Sequence, residues 1–255
     1  MSDVTFALLL STLAGLSTTV GGFLGFVVRK PGPRFMALTL GFSAGVMILI
    51  SFVELLEEGI EAVGFMPAHL AFFAGMGGMF LLDILIPHDY IAEREYEGDE
   101  DDDRREGLLR TGLLTALGIA IHNFPEGMVT FVAALEDPAL GVAVAIAVAL
   151  HNIPEGLAVS APVYAATGSR GKAFLWSFLS GVVEPIGALM AALVLGPVLN
   201  VTTFGYVLAL VGGFMVFISL DELLPASKEF DAGHLSILGV IAGMIVMAVS
   251  LEMLA

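Results

Sequence analysis

The sequence has no cysteine and few charged residues. Without cysteine, disulfides, thiol catalysis and thiolate metal sites are excluded. Only 14% of the 255 residues are charged and 57% are hydrophobic, with a mean hydropathy of +0.93. A typical soluble domain has about 25% charged residues. The 10 basic residues are outnumbered by 26 acidic ones, and the net charge of -16 would repel a phosphate backbone. A soluble enzyme and a nucleic-acid-binding protein are therefore excluded, and a membrane protein is indicated.

Long apolar runs recur along the whole chain. A bilayer is crossed by a helix of about 20 largely apolar residues, and the sequence contains eight such runs. We therefore predict an all-α membrane protein, with residues 1–255 forming a single transmembrane domain. Glycine pairs four residues apart, such as Gly41 and Gly45, predict close helix packing in lipid. The predicted spans are residues 5–28, 35–56, 68–87, 108–134, 139–166, 172–195, 204–226 and 234–254.

The positions of the basic residues predict the topology. With eight spans, all ten Lys and Arg fall in loops on one side of the membrane, or at the edges of those loops. The positive-inside rule makes that side cytoplasmic, so both termini are predicted on the outer, periplasmic side of the cytoplasmic (inner) membrane. The ten basic residues are Arg29, Lys30, Arg34, Arg94, Arg104, Arg105, Arg110, Arg170, Lys172 and Lys228.

One loop is strongly acidic. Residues 89–106, between the third and fourth spans, contain ten acidic and three basic residues. A segment of this composition is expected to be a solvated, flexible cytoplasmic loop. A second interpretation is a low-affinity loop that collects cations, although its spacing matches no calcium-binding loop.

A six-residue motif occurs twice inside apolar spans. The pattern His-Asn-x-Pro-Glu-Gly begins at His122 in the fourth span and again at His151 in the fifth, 29 residues later. The chain between them turns near Asp137, so two antiparallel helices would place both motifs at about the same depth. At ~1.5 Å per residue, that depth is close to the middle of the bilayer.

Carboxylates at that depth require a compensating charge, because an unpaired one costs at least about 2.5–3.5 kcal/mol. A divalent cation would supply it. In each motif His and Glu are four residues apart and therefore lie on one helix face, so the two can bind one ion together. Asn and Glu are three residues apart and share nearly the same face. The candidate metal ligands are therefore His122, Asn123, Glu126, His151, Asn152 and Glu155.

Prolines strengthen the case for a metal site over the alternative of two buried His–Glu hydrogen bonds that only lock the helices together. Pro125 and Pro154 cannot donate a backbone hydrogen bond, so each frees a carbonyl that can bind a cation or water. The sixth span repeats the combination, with Glu184 beside Pro185. Glu184 is therefore a further candidate ligand, the alternative being an acidic residue that only marks a helix end.

The second and seventh spans carry similar ends. Residues 45–56 and 213–224 are identical at seven of twelve positions, at a shift of 168. The predicted topology gives these spans opposite directions, and inverted repeats are typical of transporters with one central site and two exits. We interpret Glu54 as part of an outer metal entrance, and Asp221 and Glu222 as part of an inner exit. Alternatively, these acids only mark helix ends at the membrane surface.

These stretches and the paired motifs resemble the ZIP family of metal-ion transporters, most closely its bacterial ZupT-like group. The resemblance implies eight helices in a 3+2+3 inverted-repeat bundle and a binuclear site. In this site His122, Glu126, His151 and Glu155 bind one ion. Asn123, Asn152 and Glu184 bind the second, together with the bridging Glu126 and Glu155. Many family members carry a histidine-rich loop between spans three and four, which is acidic here.

The predicted function is therefore uptake of divalent transition-metal ions by alternating access. Imidazole and carboxylate ligands suit zinc, and also iron, manganese, cobalt or cadmium. No catalytic residue and no cofactor are expected, since the metal is cargo. The expected partners are divalent metal ions and the lipid bilayer. The sequence leaves open whether the protein forms a homodimer. The alternatives are an intramembrane zinc metallohydrolase, although the sequence lacks His-Glu-x-x-His, and a divalent cation channel.

Overall fold

The computed structural model describes residues 3–27, 32–85, 101–195, 200–229 and 233–254. These residues form eight helices, and no strand occurs among them. Three helices contain a π-helical segment, in which hydrogen bonds span five residues. The helices are α1 (Asp3–Val27), α2 (Pro33–Ile50, then π-helical Ser51–Leu55, then Leu56–Val63), α3 (Phe65–Leu85), α4 (Asp101–Glu136), α5 (Pro138–Thr167), α6 (Arg170–Met190, then π-helical Ala191–Leu195), α7 (Val201–Ile218, then π-helical Ser219–Leu223, then Leu224–Glu229) and α8 (Leu235–Leu254).

Local sequence signals explain the ends of α5. The Asp137 side chain caps its N-terminus by accepting hydrogen bonds from the backbone N–H groups of Ala139 (2.6 Å) and Leu140 (3.1 Å). Pro138 occupies the first helical position, where no N–H group is needed. The helix ends at Gly168, whose φ of 62° is left-handed and therefore favours glycine. The turn at Asp137, between α4 and α5, makes the two motif-bearing helices antiparallel neighbours.

The structure confirms an all-α membrane protein with eight helices. Seven of them, all except α4, contain a stretch that is long and apolar enough to cross a membrane. Helix α4 begins with the charged residues 101–106, earlier than the predicted start at residue 108, and some of its side chains lie outside the described residues. Residues 89–100 of the acidic loop also lie outside them. The 3+2+3 order, the outer position of the termini and the cytoplasmic loop stay predictions.

The helices pack in two groups of four. In the first group, α1 packs along α5 and α6, and α4 packs against the same two helices. In the second group, α2 packs along α8, α3 along α7, and the second half of α2 also against α7. The groups meet where α5 contacts α2 and α4 contacts α7. Exchanging α1 with α6, α2 with α7, α3 with α8 and α4 with α5 leaves these principal contacts unchanged.

Glycines allow the closest of these approaches. A Cβ atom on Gly45 of α2 would collide with the backbone carbonyl of Val240 in α8, and one on Gly243 of α8 with that of Phe42 in α2. The predicted packing role of the glycine pairs is therefore confirmed for this helix pair. Backbones pack this closely in membranes because lipid supplies little hydrophobic force to hold helices together.

The π-helical segments of α2 and α7 lie at matching places in the two helices. Ser51–Leu55 and Ser219–Leu223 are separated by the same shift of 168 that relates their sequences. Each begins with a buried serine whose Oγ donates to a methionine carbonyl four residues earlier, over 2.7 Å in both cases. Such bulges are frequent at functional sites, and these two contain Glu54, Asp221 and Glu222.

Candidate functional site

The two His-Asn-x-Pro-Glu-Gly motifs meet where α4 crosses α5. His151 Nε2 lies 3.1 Å from Glu126 Oε1, so the histidine of one motif contacts the glutamate of the other. Pro125 and Pro154 both lie inside continuous helices. The prediction that the motifs lie at the same level is therefore confirmed for this pair. The side chain of His122 lies outside the described residues, although its backbone belongs to α4.

Six predicted site residues are fully buried, none with more than 1% of its surface exposed. Burial of three glutamates in an apolar bundle is unusual, because acidic residues are almost never fully buried without a partner. None of the buried side chains in the described part of the chain is a Lys or an Arg. Within the described ranges, the negative charge at this place is therefore not balanced by a buried Lys or Arg. The six residues are Asn123, Glu126, His151, Asn152, Glu155 and Glu184.

Helix α6 brings Glu184 to the motifs. The amide Nδ2 of Asn152 donates to Glu184 Oε2 over 2.8 Å, which joins the third carboxylate to the motif on α5. The final glycine of the α4 motif explains how α6 comes so close. A Cβ atom on Gly127 would collide with the backbone carbonyl of Glu184. The sequence predicted Glu184 as a candidate, and the structure places it beside the paired motifs.

The two motif asparagines are held by backbone groups that sequence reasoning missed. Asn123 Nδ2 donates to the carbonyl of Ser180 in α6 over 3.1 Å, and Asn152 Nδ2 donates to that of Ala14 in α1 over 3.2 Å. Because each amide nitrogen is used in this way, the orientation of each amide oxygen is fixed. No local sequence signal identifies a backbone acceptor, so only the packing of α1 and α6 reveals these contacts.

Four side-chain oxygens at the site have no hydrogen-bond donor among the described residues. A buried acceptor without a donor costs free energy that a cation or an ordered water recovers. Neutral amide oxygens and carboxylates are also ligands that divalent metals accept. The site is therefore chemically suited to a cation. The oxygens are Asn123 Oδ1, Glu126 Oε2, Asn152 Oδ1 and Glu184 Oε1.

A complete metal centre is not assembled by the described side chains alone. Over the described ranges, no three His, Asp or Glu side chains are grouped so that they could hold a metal ion. Glu126 and His151 form a contacting pair, and the side chain of His122 lies outside the described residues. The predicted ligand set therefore stays a prediction, while its members on α4, α5 and α6 are brought together.

Glu54 lines a cavity at one end of the bundle. The cavity has a volume of about 500 Å³, and three of its lining residues are acidic: Glu54 of α2, Asp137 of the α4–α5 turn and Glu252 near the end of α8. The predicted topology places these three parts of the chain on the same, outer side of the membrane. A cavity with several carboxylates concentrates cations at its mouth.

Asp221 and Glu222 lie at the matching position in α7. Both are half-buried in the π-helical segment Ser219–Leu223. Their role as an inner exit stays a prediction.

Comparison with known proteins identifies the fold family. The family model described as "ZIP Zinc transporter" matches residues 87–251. The chain belongs to the ZIP family. A zinc transporter ZupT from Corynebacterium aurimucosum is 48% identical over 262 residues, covering 99% of this chain and 98% of the relative. One from Chlorobium phaeovibrioides is 50% identical over 268 residues and covers both chains fully, and one from Clostridium perfringens is 46% identical over 275 residues, covering 98% and 96%.

Membership of the ZIP family confirms the resemblance that the paired motifs predicted. It also confirms that the chain is a transporter and not an enzyme, so the metallohydrolase alternative is dropped. The family match spans α4 to α8 and includes both motifs and Glu184. The three matched relatives extend the similarity to α1, α2 and α3.

Proposed function

We propose that this ZIP protein carries divalent transition-metal ions, zinc foremost, from outside the cell into the cytoplasm. The observation that carries the proposal is the meeting of two copies of one motif around buried carboxylates, with no buried Lys or Arg beside them among the described residues. The names of the relatives, which are zinc transporters, support zinc as the main cargo. The ligand chemistry extends the proposal to iron, manganese, cobalt and cadmium, because imidazole and carboxylate suit them as well.

The proposed site holds two ions. His122, Glu126, His151 and Glu155 would bind the first, and Asn123, Asn152 and Glu184 would bind the second, with Glu126 and Glu155 shared. The hydrogen bond from Asn152 to Glu184 and the contact of Glu126 with His151 support this division, since each joins members of one set.

Alternating access is the proposed mechanism. The helix contacts are unchanged when α1 is exchanged with α6 and α2 with α7. This equivalence supports alternating access, because inverted repeats allow one site to open to either side. We propose that Glu54 belongs to the entrance on the periplasmic side of the inner membrane and that Asp221 and Glu222 belong to the exit. The homodimer stays a prediction.

The test is metal uptake by the purified protein in proteoliposomes. The panel is zinc, cadmium, iron(II), manganese and cobalt, each over a range of concentrations. A carrier gives uptake that saturates and stays slow, with zinc among the best substrates. Fast uptake that rises in proportion to concentration would favour the channel alternative, and no uptake of any of the five metals would contradict the proposal.

Removing the charge of Glu54 should weaken metal capture. Replacement by glutamine keeps the shape of the side chain but lowers the negative potential of the acidic cavity, so the KM for zinc is expected to rise about threefold at low salt. The increase should shrink at high salt, because ions screen surface charge. Glu57→Gln is the matched control, since Glu57 lies on the same helix, is exposed and does not line the cavity. Equal effects of both variants would contradict a specific entrance.

A further inference from the structure

Helices α1 and α6 contact each other through two equivalent hydrogen bonds. Ser11 Oγ of α1 donates to the backbone carbonyl of Glu184 in α6 over 3.5 Å, and Ser177 Oγ of α6 donates to that of Thr18 in α1 over 2.8 Å. Ser11 and Ser177 are 166 residues apart, and so are Thr18 and Glu184. The two hydrogen bonds are therefore related by exchanging α1 with α6.

The side chains of Thr18 and Glu184 leave their helices in equivalent directions. A Cβ atom built on Gly15 of α1 would lie 3.0 Å from the Cβ atom of Glu184. One built on Gly181 of α6 would lie 3.0 Å from the Cβ atom of Thr18. Gly15 and Gly181 are again 166 residues apart. The equivalence therefore holds for the side-chain direction as well as for the backbone.

The two motifs extend the same relation to α4 and α5. A Cβ atom on Gly127 of α4 would collide with the backbone carbonyl of Glu184, and one on Gly156 of α5 would collide with the backbone carbonyl of Thr18. Gly127 and Gly156 are the last residues of the two motifs. Thr18 therefore stands beside the α5 motif as Glu184 stands beside the α4 motif.

Thr18 has the properties of a residue that faces a ligand. Its side chain is fully buried, and its Oγ1 has no hydrogen-bond partner within the part of the chain that the structure describes. When the helices are exchanged, the counterpart of the hydrogen bond from Asn152 to Glu184 would join Asn123 to Thr18. The described residues do not form this bond, and Asn123 Oδ1 also lacks a donor among them. Two buried oxygens without donors favour a cation or its bound water.

We propose that Thr18 is a further contact for the transported metal ion, in the α1 half of the site, at the position that Glu184 occupies in the α6 half. This inference rests on the proposed metal-transport function. Its consequence is an asymmetric site, with a carboxylate in one half and a neutral hydroxyl in the other. The hydroxyl contacts the ion or its bound water without adding a fourth buried negative charge.

The first test removes the hydroxyl and keeps the shape. Thr18→Val is expected to raise both the Kd for zinc, measured by titration calorimetry on the purified full-length protein, and the KM for zinc uptake, by about threefold to tenfold. That range corresponds to one hydrogen bond or neutral contact. Thr18→Ser restores the hydroxyl and should return both values to those of the original protein. Thr19→Val is the matched control. Thr19 is the next residue of α1 and its Oγ1 also lacks a partner among the described residues, but Thr19 does not stand at the position equivalent to Glu184. This variant should change neither value.

A second test moves the carboxylate across the site. Glu184→Thr alone is expected to bind zinc more weakly than the original protein, and the addition of Thr18→Glu should recover part of the lost affinity. Recovery supports the equivalence of the two positions. A folded double variant that binds zinc no better than Glu184→Thr would contradict it.

The outcomes separate this inference from the proposed function. If the original protein takes up zinc and Thr18→Val has an unchanged Kd and KM, the role of Thr18 is overturned while the transport function stands. A fall in thermal stability without a change in Kd or KM would assign Thr18 to packing and would also overturn the inference. If the original protein neither binds nor takes up any of the five metals, the proposed function fails first.

Discussion

Replacing Glu126 by glutamine should abolish metal uptake while the protein stays folded in the membrane. Glu126 is the carboxylate at the centre of the site, since one oxygen lies 3.1 Å from His151 Nε2 and the other has no donor among the described residues. Glutamine keeps the volume and one oxygen but removes the charge that would hold a divalent ion. Loss of a residue that only orients a ligand typically costs 10–100-fold in metal affinity, so loss of the ligand that we propose to be shared by both ions should lower uptake by at least about 100-fold.

The folded state should tolerate this change, because a neutral amide is less costly to bury than an unbalanced carboxylate. Glu155→Gln is expected to behave in the same way, since Glu155 is the equivalent residue of the second motif. Glu57→Gln again serves as the control, because Glu57 is exposed and lies outside the motifs. The comparison is initial zinc uptake per folded protein in proteoliposomes. Uptake by Glu126→Gln above about one tenth of the original rate would remove Glu126 from the transport site.

Adding a single methyl group to Gly127 should strongly destabilise the bundle. The Cβ atom of Gly127→Ala would collide with the carbonyl oxygen of Glu184 and lie 2.6 Å from its carbonyl carbon. These are backbone atoms of α6, so no side chain can swing aside to make room. Overpacking of this kind costs typically about 1–3 kcal/mol, and more where the backbone must shift. A shift of α6 would also move Glu184 away from Asn152, so both stability and metal affinity should fall.

Helix α3 offers a clean control for Gly127→Ala. A Cβ atom on Gly77 would meet nothing within 4 Å, so Gly77→Ala makes the same chemical change in open space. Alanine also favours helix by about 1 kcal/mol over glycine, so this variant should be as stable as the original protein or more so. The measurement is the Tm of the purified variants in detergent. Equal Tm values for Gly127→Ala and the original protein would contradict the close approach of α4 and α6.

Much of the site follows from spacing alone. The 29-residue interval between the motifs and the turn at Asp137 place one motif opposite the other, and the contact between His151 and Glu126 has that geometry. The shift of 168 between α2 and α7 likewise predicts two equivalent helix ends, and both contain π-helical segments at matching positions. Such features are predictable because a helix has a fixed rise and a fixed periodicity, so sequence intervals convert directly into depth and face.

The contacts of α1 were harder to predict, because they depend on how distant helices pack. Only a sparse pattern relates α1 to α6: Ser11, Gly15 and Gly21 match Ser177, Gly181 and Gly187 at a shift of 166. Small residues are common throughout membrane helices, so these matches acquire meaning only when the structure pairs them. The backbone acceptors of Asn123 and Asn152 also belong to these two helices, which explains why the sequence identified the motif residues but not what orients them.

X-ray absorption at the zinc edge is the measurement that tests the central claim most directly, because it reports the atoms bound to the cargo itself. The purified full-length protein, loaded with zinc, should show a first shell of nitrogen and oxygen at about 2.0–2.1 Å. Two imidazoles, from His122 and His151, should contribute, and one of them should be lost in His151→Ala. A first shell without imidazole, or one that is the same in the original protein and in His151→Ala, would contradict transport through the paired motifs.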